Sequence, residues 1–419
     1  MTLDKLLQKL SLRHGRWGGW KLARMEQLLA SGGMTVHGPF LHIGGTAGKG
    51  SVCAIVERGL REVGLRTGLY TSPHLVEWQE RIRIDGKAIG TDELAALLER
   101  WIGRAEQLAA DDLEKSATGF EILTAAALDH FLAKKVDVAI LEVGLGGRID
   151  ATNVVQPDLC AITTVGMDHL DVLGESLEEI AAEKAGILKP GIPAVLGPMP
   201  RRAEAVVRER ARMVAAPILP IPSWELPQPC HLHGVEQARN FPLAAAIAWH
   251  WLRIHGKLGE KNWKKCQAGM AQARWPGRWD VRTVAGRRWI FDATLNSCGL
   301  PYLRRNWKNF CTGQTLWPSI IAGSLSLRRA ETLLPFLLSI AGEMTLVALD
   351  EERSLGKEDW TVLLPNDLPL PVGIVSERDL PLLRPQGDPI LVTGSIHLTG
   401  KMLAVLAEEH AEFVPVGDL

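Results

Sequence analysis

Paired cysteines, long apolar runs, net charge and internal repeats are all missing from this chain of 419 residues. The six cysteines, Cys53, Cys160, Cys230, Cys266, Cys298 and Cys311, lie far apart with no CxxC pair. That excludes a disulfide frame or a zinc ribbon and points to a reducing compartment. The string Cys230-His231-Leu232-His233 has no second ligand cluster to complete it and reads as a polar loop. No apolar run is long enough to span a bilayer, so no membrane partner is expected. The opening MTLDKLLQKLSLRHG is amphipathic and too polar for the apolar region of a secretion signal, so a cytoplasmic protein is expected. A formal net charge of −1, with 23% charged residues, removes any general pull towards nucleic acid or anionic lipid and leaves small-molecule chemistry. Tyrosine is scarce, 2 against 14 tryptophans, a bias for which the sequence offers no physical account.

What is present is a chain long enough for two domains, or three, with a hydrophobic fraction of 46%. Residues 2–30 have the spacing of one or two short amphipathic helices, ended by Ser31-Gly32-Gly33. A strand is expected at Phe40–Ile43, a helix over Ser51–Val63 with Gly64 after it, and a second strand at Arg66–Tyr70. Glu80–Ile84 alternates like a half-exposed strand, and Asp85-Gly86 makes a turn. Helices follow at Asp92–Leu108, with Thr91 as N-cap, and within Thr118–Lys134. The stretch between them, Ala109–Ala117, reads as a loop. Val136–Glu142 and Leu159–Val165 are apolar enough for central strands buried on both faces. Beyond them come a helix at Leu177–Ala185, a strand near Ile192–Leu196, a helix near Ala203–Val214, a proline-rich connection at Pro217–Pro229 and a long helix at Val235–Ile254. The favoured boundary lies at Ala273–Trp275, dividing the chain into 1–273 and 274–419. Past it, strands at Trp279–Val284, Arg288–Phe291, Ser319–Gly323, Met344–Leu349 and Pro389–Thr393 alternate in part with helices at Leu300–Lys308, Arg328–Ile340 and Ile396–Glu409. The pattern is α/β, a parallel-rich sheet followed by a smaller α/β unit.

The stretch that organises the chemistry is Leu41–Ser51, LHIGGTAGKGS. A short apolar run stops at Gly44-Gly45, and a helix begins within a few residues of Lys49. This is the layout of a strand feeding a phosphate cradle, in which glycines let backbone N–H groups turn inward towards a helix N-terminus. Lys49 would meet the phosphates as a point charge, and the Ser51 hydroxyl could ligate Mg²⁺. The alternative is a glycine-rich turn with an exposed lysine. In open α/β sheets ligands sit beyond the carboxyl ends of the strands, and the loop, Ser72, Glu142 and His169 all fall there. A hydroxyl, a carboxylate and an imidazole near a triphosphate would suit a divalent cation. Each also has a structural reading: Ser72 as a turn residue before proline, Glu142 as a strand-end cap, His169 as a satisfied loop histidine. Lys184 sits on a helix after the His169 loop, where spacing alone does not separate a functional lysine from a solvated one.

Together, LHIGGTAGKGS, GLYTSPHL, ERIRI, LEVGLGGRIDATN, MDHLDVLGESLEEIAAEKAGI and WPGR resemble the folylpolyglutamate synthase/dihydrofolate synthase branch of the Mur ligase superfamily. The resemblance covers nearly the whole chain and is densest over residues 41–191. It implies a Mur-ligase-like P-loop ATPase domain, a smaller Rossmann-like C-terminal domain and ATP in the cleft between them. The implied activity joins L-glutamate to dihydropteroate or a reduced folate through an acyl phosphate, in a monomer with no nucleic-acid partner. By the same likeness Thr46, Ala47, Gly48, Lys49, Gly50 and Ser51 cradle ATP, and Asn240, Arg278 and Asp292 complete its site. Ser72, Glu142 and His169 match Mg²⁺ ligands. Lys184 matches a lysine that the family carbamylates to help hold a second Mg²⁺. The implied catalytic residues are Lys49, Lys184 and His169. Thr118, Gly119, Phe120 and Glu121, with Ile149, Asp150 and Ala151, match segments lining the pterin-acid site, and Trp20–Leu22 matches it more loosely.

Two positions depart from the family pattern. The loop usually reads GTNGKGS, and Ala47 stands here in place of the asparagine. Asp292–Ser297, DATLNS, replaces the usual DGAHNP, with Leu295 where the histidine belongs. An isobutyl group cannot take over a polar role of an imidazole. The departures leave room for a changed acceptor or acid, or for a nucleotide-binding homologue with weakened catalysis.

Overall fold

The computed structural model describes all residues except 14–21, 37, 111–115, 225–229, 295, 313–315, 352–353, 369, 411–412, 415 and 418–419. Two sheets organise it. The first contains β1 (Phe40–Gly44), β2 (Thr67–Tyr70), β3 (Ile82–Ile84), β4 (Lys87–Ala88), β5 (Val138–Glu142), β6 (Leu159–Ile162), β7 (Ala194–Leu196) and β8 (Ile218–Leu219). Their spatial order is β4-β3-β2-β5-β1-β6-β7-β8. From β2 to β8 every pairing is parallel, while β3 and β4 add an antiparallel edge. Register brings Ile43 opposite both Glu142 and Ala161, and Tyr70 opposite Leu141, so the strands end nearly level.

The second sheet contains β9 (Asp280–Val284), β10 (Arg287–Asp292), β11 (Ser319–Gly323), β12 (Glu343–Ala348), β13 (Val372–Ser376) and β14 (Ile390–Thr393), in the order β13-β12-β11-β14-β10-β9. Only the β9–β10 hairpin is antiparallel. Ala285 and Gly286, at φ 48° and 76°, give its turn the positive-φ pair that matches strand twist.

Both faces of the first sheet are covered, which is why its central strands read as continuous apolar runs. Helices 49–63, 237–254 and 260–271 lie on one face, around Val52, Leu60, Ile247 and Met270. Helices 3–11, 22–31, 91–110 and 119–133 lie on the other, around Leu28, Leu98, Trp101 and Leu128. Helices 49–63 and 260–271 approach closely because neither has a side chain at the crossing. A Cβ on Gly59 would come within 2.7 Å of Met270, and one on Gly269 within 2.5 Å of Glu62.

Several expectations needed adjustment. The strand expected over Glu80–Ile84 is confined to Ile82–Ile84, because Trp78–Arg81 form a 3₁₀ turn. The Glu80 carboxylate causes this by accepting the amides of Leu75, Val76 and Glu77 at 2.9, 2.8 and 2.6 Å. The first helix of the cradle starts at Lys49, two residues early, because Gly48 at φ 85° turns the chain directly into it. The helix expected from Asp92 already includes Thr91, which is its first residue and not its N-cap, and runs on to Ala110, into the expected loop, whose residues 111–115 lie outside the described set. Within the proline-rich connection Ile218–Leu219 pair as β8, and residues 225–229 are outside the described set. Helix 260–271 and strand β13 were not expected at all.

Candidate active site

The β1 loop owes its shape to two glycines. Gly45 has φ 141°, and a Cβ there would strike Thr163 Oγ1. Gly48 would place a Cβ 2.5 Å from Asn240 Oδ1. The loop is fixed to the segment after β6 by its backbone: Thr46 N donates to Thr164 O at 2.8 Å, and Thr163 Oγ1 donates to Ala47 O at 2.7 Å. Ala47 therefore keeps the loop conformation without the asparagine side chain. Lys49 Nζ donates to Gly45 O at 3.1 Å.

Lys184 reaches the same carbonyl, its Nζ donating to Gly45 O at 3.1 Å. It is not the solvated lysine its helix position permits: it is 4% exposed. Burial lowers its pKa to about 7, with Lys49 acting in the same direction and Asp168 and Asp150 opposing. Two ammonium groups converging on one carbonyl leave positive charge for an anion to balance. Lys49, Lys184, Asp168 and His169 line one small recess beside the loop.

Glu142 ends β5 at 5% exposure, and its Oε2 accepts the Ser72 amide at 3.1 Å. Burial raises its pKa, against the pull of Lys49, the Ser72 amide and Arg278. His169 adopts φ 50°, and its imidazole is biased towards the neutral form by burial, against the opposing charge of Asp168. Ser51, Ser72, Glu142 and His169 share one cleft. Among the described residues no three His, Cys, Asp or Glu side chains form a metal cluster by themselves. The donors of Ser51, Ser72, Glu142 and His169, two hydroxyls, one carboxylate and one imidazole, are the chemistry of a divalent-cation site completed by water and phosphate oxygens.

The cleft, about 390 Å³, is closed on its far side by the second sheet, through Arg278, Asp292, Ala293, Thr294, Asn296, Leu325, Arg329, Ile396 and His397. Asp292 is buried, its carboxylate accepting Trp279 N at 3.2 Å and Thr294 N at 3.0 Å. Burial raises its pKa and Arg278 opposes the shift. Asn240, Glu236, Arg239 and Tyr302 line the same cleft. Asp168 ties the two sides: it accepts from Asn296 Nδ2 at 2.9 Å and from Arg329 Nη2 at 3.3 Å. Arg329 escaped the sequence reading because an Arg-Arg pair on a helix looks like surface. No local signal could have found it.

The remaining residues matched to the pterin-acid site lie elsewhere. None of Thr118–Glu121 or Ile149–Ala151 lines the cleft. Thr118 and Glu121 form a capping box, and Glu121 is gripped by Arg24 Nε and Nη2 at 2.8–3.0 Å. Asp150 is fully buried and accepts Leu145 N at 2.9 Å and Thr152 N at 3.0 Å, so it shapes the loop after β5. Phe120 and Asp150 stand directly behind the cleft wall: a Cβ on the cleft residue Gly144 would lie 2.5 Å from the Phe120 ring, and Asp150 accepts the amide of the cleft residue Leu145. Trp20 and Leu295 lie outside the described residues.

Comparison with known proteins gives one consistent picture. Residues 43–194 match the Mur ligase middle domain. The chain is 33% identical over 364 residues to the dihydrofolate synthase/folylpolyglutamate synthase of Bacillus subtilis (strain 168), covering 80% of this chain and 83% of that protein. It is 36% identical over 303 residues to the mitochondrial folylpolyglutamate synthase of Cricetulus griseus, covering 65% of this chain. The matched stretch spans about half the length of that relative, 52%. The crystal structure of Mycobacterium tuberculosis folylpolyglutamate synthase complexed with ADP and AMPPCP superposes with a TM-score of 0.81 at 26% identity, covering 96% of this chain and 98% of that one.

Proposed function

We propose that this chain, which belongs to the folylpolyglutamate synthase/dihydrofolate synthase family, is an ATP-dependent ligase joining L-glutamate to dihydropteroate, to reduced folates, or to both. The observation that carries this reading is the convergence of Lys49 and Lys184 on Gly45 O, beside the buried Glu142 and inside a loop that side chains would block.

In the reaction, an oxygen of the acid's carboxylate attacks the γ-phosphorus of ATP and ADP leaves. The amino group of glutamate then attacks the acyl phosphate, and inorganic phosphate leaves. Carboxylate and ATP repel each other, so Lys49 and Arg278 supply positive charge where negative charge gathers. Mg²⁺, held by Glu142 with Ser51, Ser72 and His169 nearby, would supply further charge neutralisation. Lys184, with a pKa near 7, holds a substantial neutral fraction at neutral pH, which is the form that takes up CO₂ as a carbamate. A carbamate there would turn a cation into an anion able to help hold a second Mg²⁺. Asn240, beside the loop at Gly48, and Asp292, across the cleft, would hold the nucleotide, and Phe120 would border the pterin acid. The two sides, bridged at Asp168, would keep water from the acyl phosphate.

The domain division we propose is 1–273 and 274–419. Its support is that helix 260–271 packs on helix 49–63, while β9 of the second sheet opens at Asp280. A monomeric, cytoplasmic enzyme is the form we favour; among the described residues no helix is long and apolar enough to cross a membrane.

The test is ADP and phosphate release with dihydropteroate and with tetrahydrofolate, each with and without glutamate. Glutamate-dependent release with at least one acid is the expected result, and none with either would refute the proposal. Leu295 favours a second reading, the same ligase chemistry with another acceptor. A large gain in glutamate ligation by Leu295→His would mark a damaged glutamate enzyme. No gain, with turnover on another amino acid, would mark a re-purposed one.

A further inference from the structure

A second and larger cavity, about 630 Å³, opens on the other side of the linker that joins the two sheets. Among the described residues its lining holds three arginines, Arg274, Arg278 and Arg282, against a single carboxylate, Asp280. That carboxylate is already satisfied: Arg282 Nε and Nη2 donate to it at 2.7–3.1 Å. Arg274 is exposed and makes no hydrogen bond or ion pair among the described residues. Arg278 makes one weak contact, Nη1 donating to the carbonyl of its neighbour Gly277 at 3.5 Å. Among the described residues the cavity therefore carries one guanidinium without an anion, Arg274, beside a second, Arg278, whose carboxylate partners Glu142 and Asp292 lie on the cleft side, and His231 and His233 add imidazoles to the same wall. This gives most of the Cys230–His233 string a setting: His231, Leu232 and His233 line an anion-attracting cavity.

The linker is anchored at both ends. Trp275 lies against the first turn of the cradle helix, where a Cβ on Gly50 would sit 2.6 Å from its Nε1. Trp279, buried at φ 45°, donates its amide to Asp292. Between these fixed points the side chain of Arg278 borders both the ATP cleft and the larger cavity. A flexible guanidinium shared by two cavities can serve one anion fully only by leaving the other.

We propose that this cavity is a regulatory anion site, taking a small chain of linked anionic groups, phosphates or carboxylates, on Arg274 and Arg278 and weakening ATP binding by withdrawing Arg278. The proposal rests on the reading of Arg278 as an ATP contact. Coupling of this kind is reciprocal and commonly amounts to about 5-fold or more in affinity.

The probes are inorganic tripolyphosphate and γ-linked triglutamate, added separately at fixed ionic strength and fixed free Mg²⁺. Initial rates against ATP are measured for wild type, Arg274→Ala and Arg274→Lys. With either probe the ATP KM of wild type should rise about 5-fold, that of Arg274→Ala should not move, and Arg274→Lys should respond in part. All three should match in the absence of probe. The probe that acts identifies phosphate or carboxylate as the recognised group. Equal inhibition of wild type and Arg274→Ala would mean that the anion enters the ATP cleft, and that result overturns the proposal, as does no response of wild type to either probe. Titration calorimetry of the same proteins with each probe reads the site independently of turnover. A protein that binds the probe through Arg274 yet ligates nothing would count against the ligase reading alone.

Discussion

The two sheet edges that meet across the cleft are built alike and used differently. On the first, parallel strands end in ionisable groups taken out of water: Glu142, and behind the loop Lys184 and Asp150. On the second, β10 also ends in a buried carboxylate, Asp292, but the polar groups around it reach outward, Asn296 and Arg329 onto Asp168 and Arg278, just before β9, into the cleft. Buried charge is expensive, so the first edge is where the fold has committed stability to chemistry. Contacts across the seam are exchangeable for water, so the second edge governs closure and access.

That contrast can be broken by substitution. The largest effect should come from Lys184→Met, with kcat for ADP release falling about 10²–10³-fold, as for loss of one preorganised charge-stabilising group. Thermal melting of the same variant should show no loss of stability, because a buried cation has been removed. Glu142→Gln should lower kcat about 10²-fold and raise the Mg²⁺ concentration needed for half-maximal rate. Arg329→Ala, on the closing side, should reduce kcat/KM for ATP only about 5-fold, since a partly buried ion pair contributes ~1 kcal/mol. Equal losses for Arg329→Ala and Lys184→Met would erase the distinction between the two edges.

The support of the first edge is tested last and is read on stability, with no effect expected on the chemical step. His42, fully buried on β1, exchanges a hydrogen bond with Thr152 Oγ1 at 2.8 Å, and burial, aided by Lys189, lowers its pKa from 6.5 to about 3. The folded state therefore stays neutral there while the unfolded chain takes up a proton below pH 6.5. Stability from this residue is complete above that pH and is lost progressively as pH falls towards 3. Urea midpoints of wild type and His42→Gln, compared at pH 7 and pH 4.5, should converge as pH drops, by at most ~1.4 kcal/mol per pH unit. A difference independent of pH would remove His42 as the acid-sensitive support.

Much of the first edge was legible in the chain. The glycine loop, β1 and the helix Leu177–Ala185 stood where spacing put them, and β5 and β6 lie within their expected apolar runs, β5 starting at Val138 and β6 stopping at Ile162. Helix 260–271 was invisible because its buried face is Cys266, Gly269 and Met270, and a glycine chosen for close approach carries no hydrophobic signal. Spacing left Lys184 undecided between functional and solvated because helical periodicity gives a face and not what lies opposite it. The pairing of Asp168 with Arg329 joins residues 161 positions apart, which no local pattern encodes.

By itself the sequence determined the local devices: positive-φ glycines that turn a strand into a helix, caps that start helices, and apolar runs that demand burial on both faces. These depend on steric and hydrogen-bonding rules acting over a few residues. Only the tertiary structure decided the strand order β2-β5-β1-β6, and with it the meeting of Ser72, Glu142, the Gly45 loop and His169 at one edge. That order rests on pairing and burial summed over strands far apart in the chain, and so does the buried, charge-crowded place in which Lys184 loses its solvent.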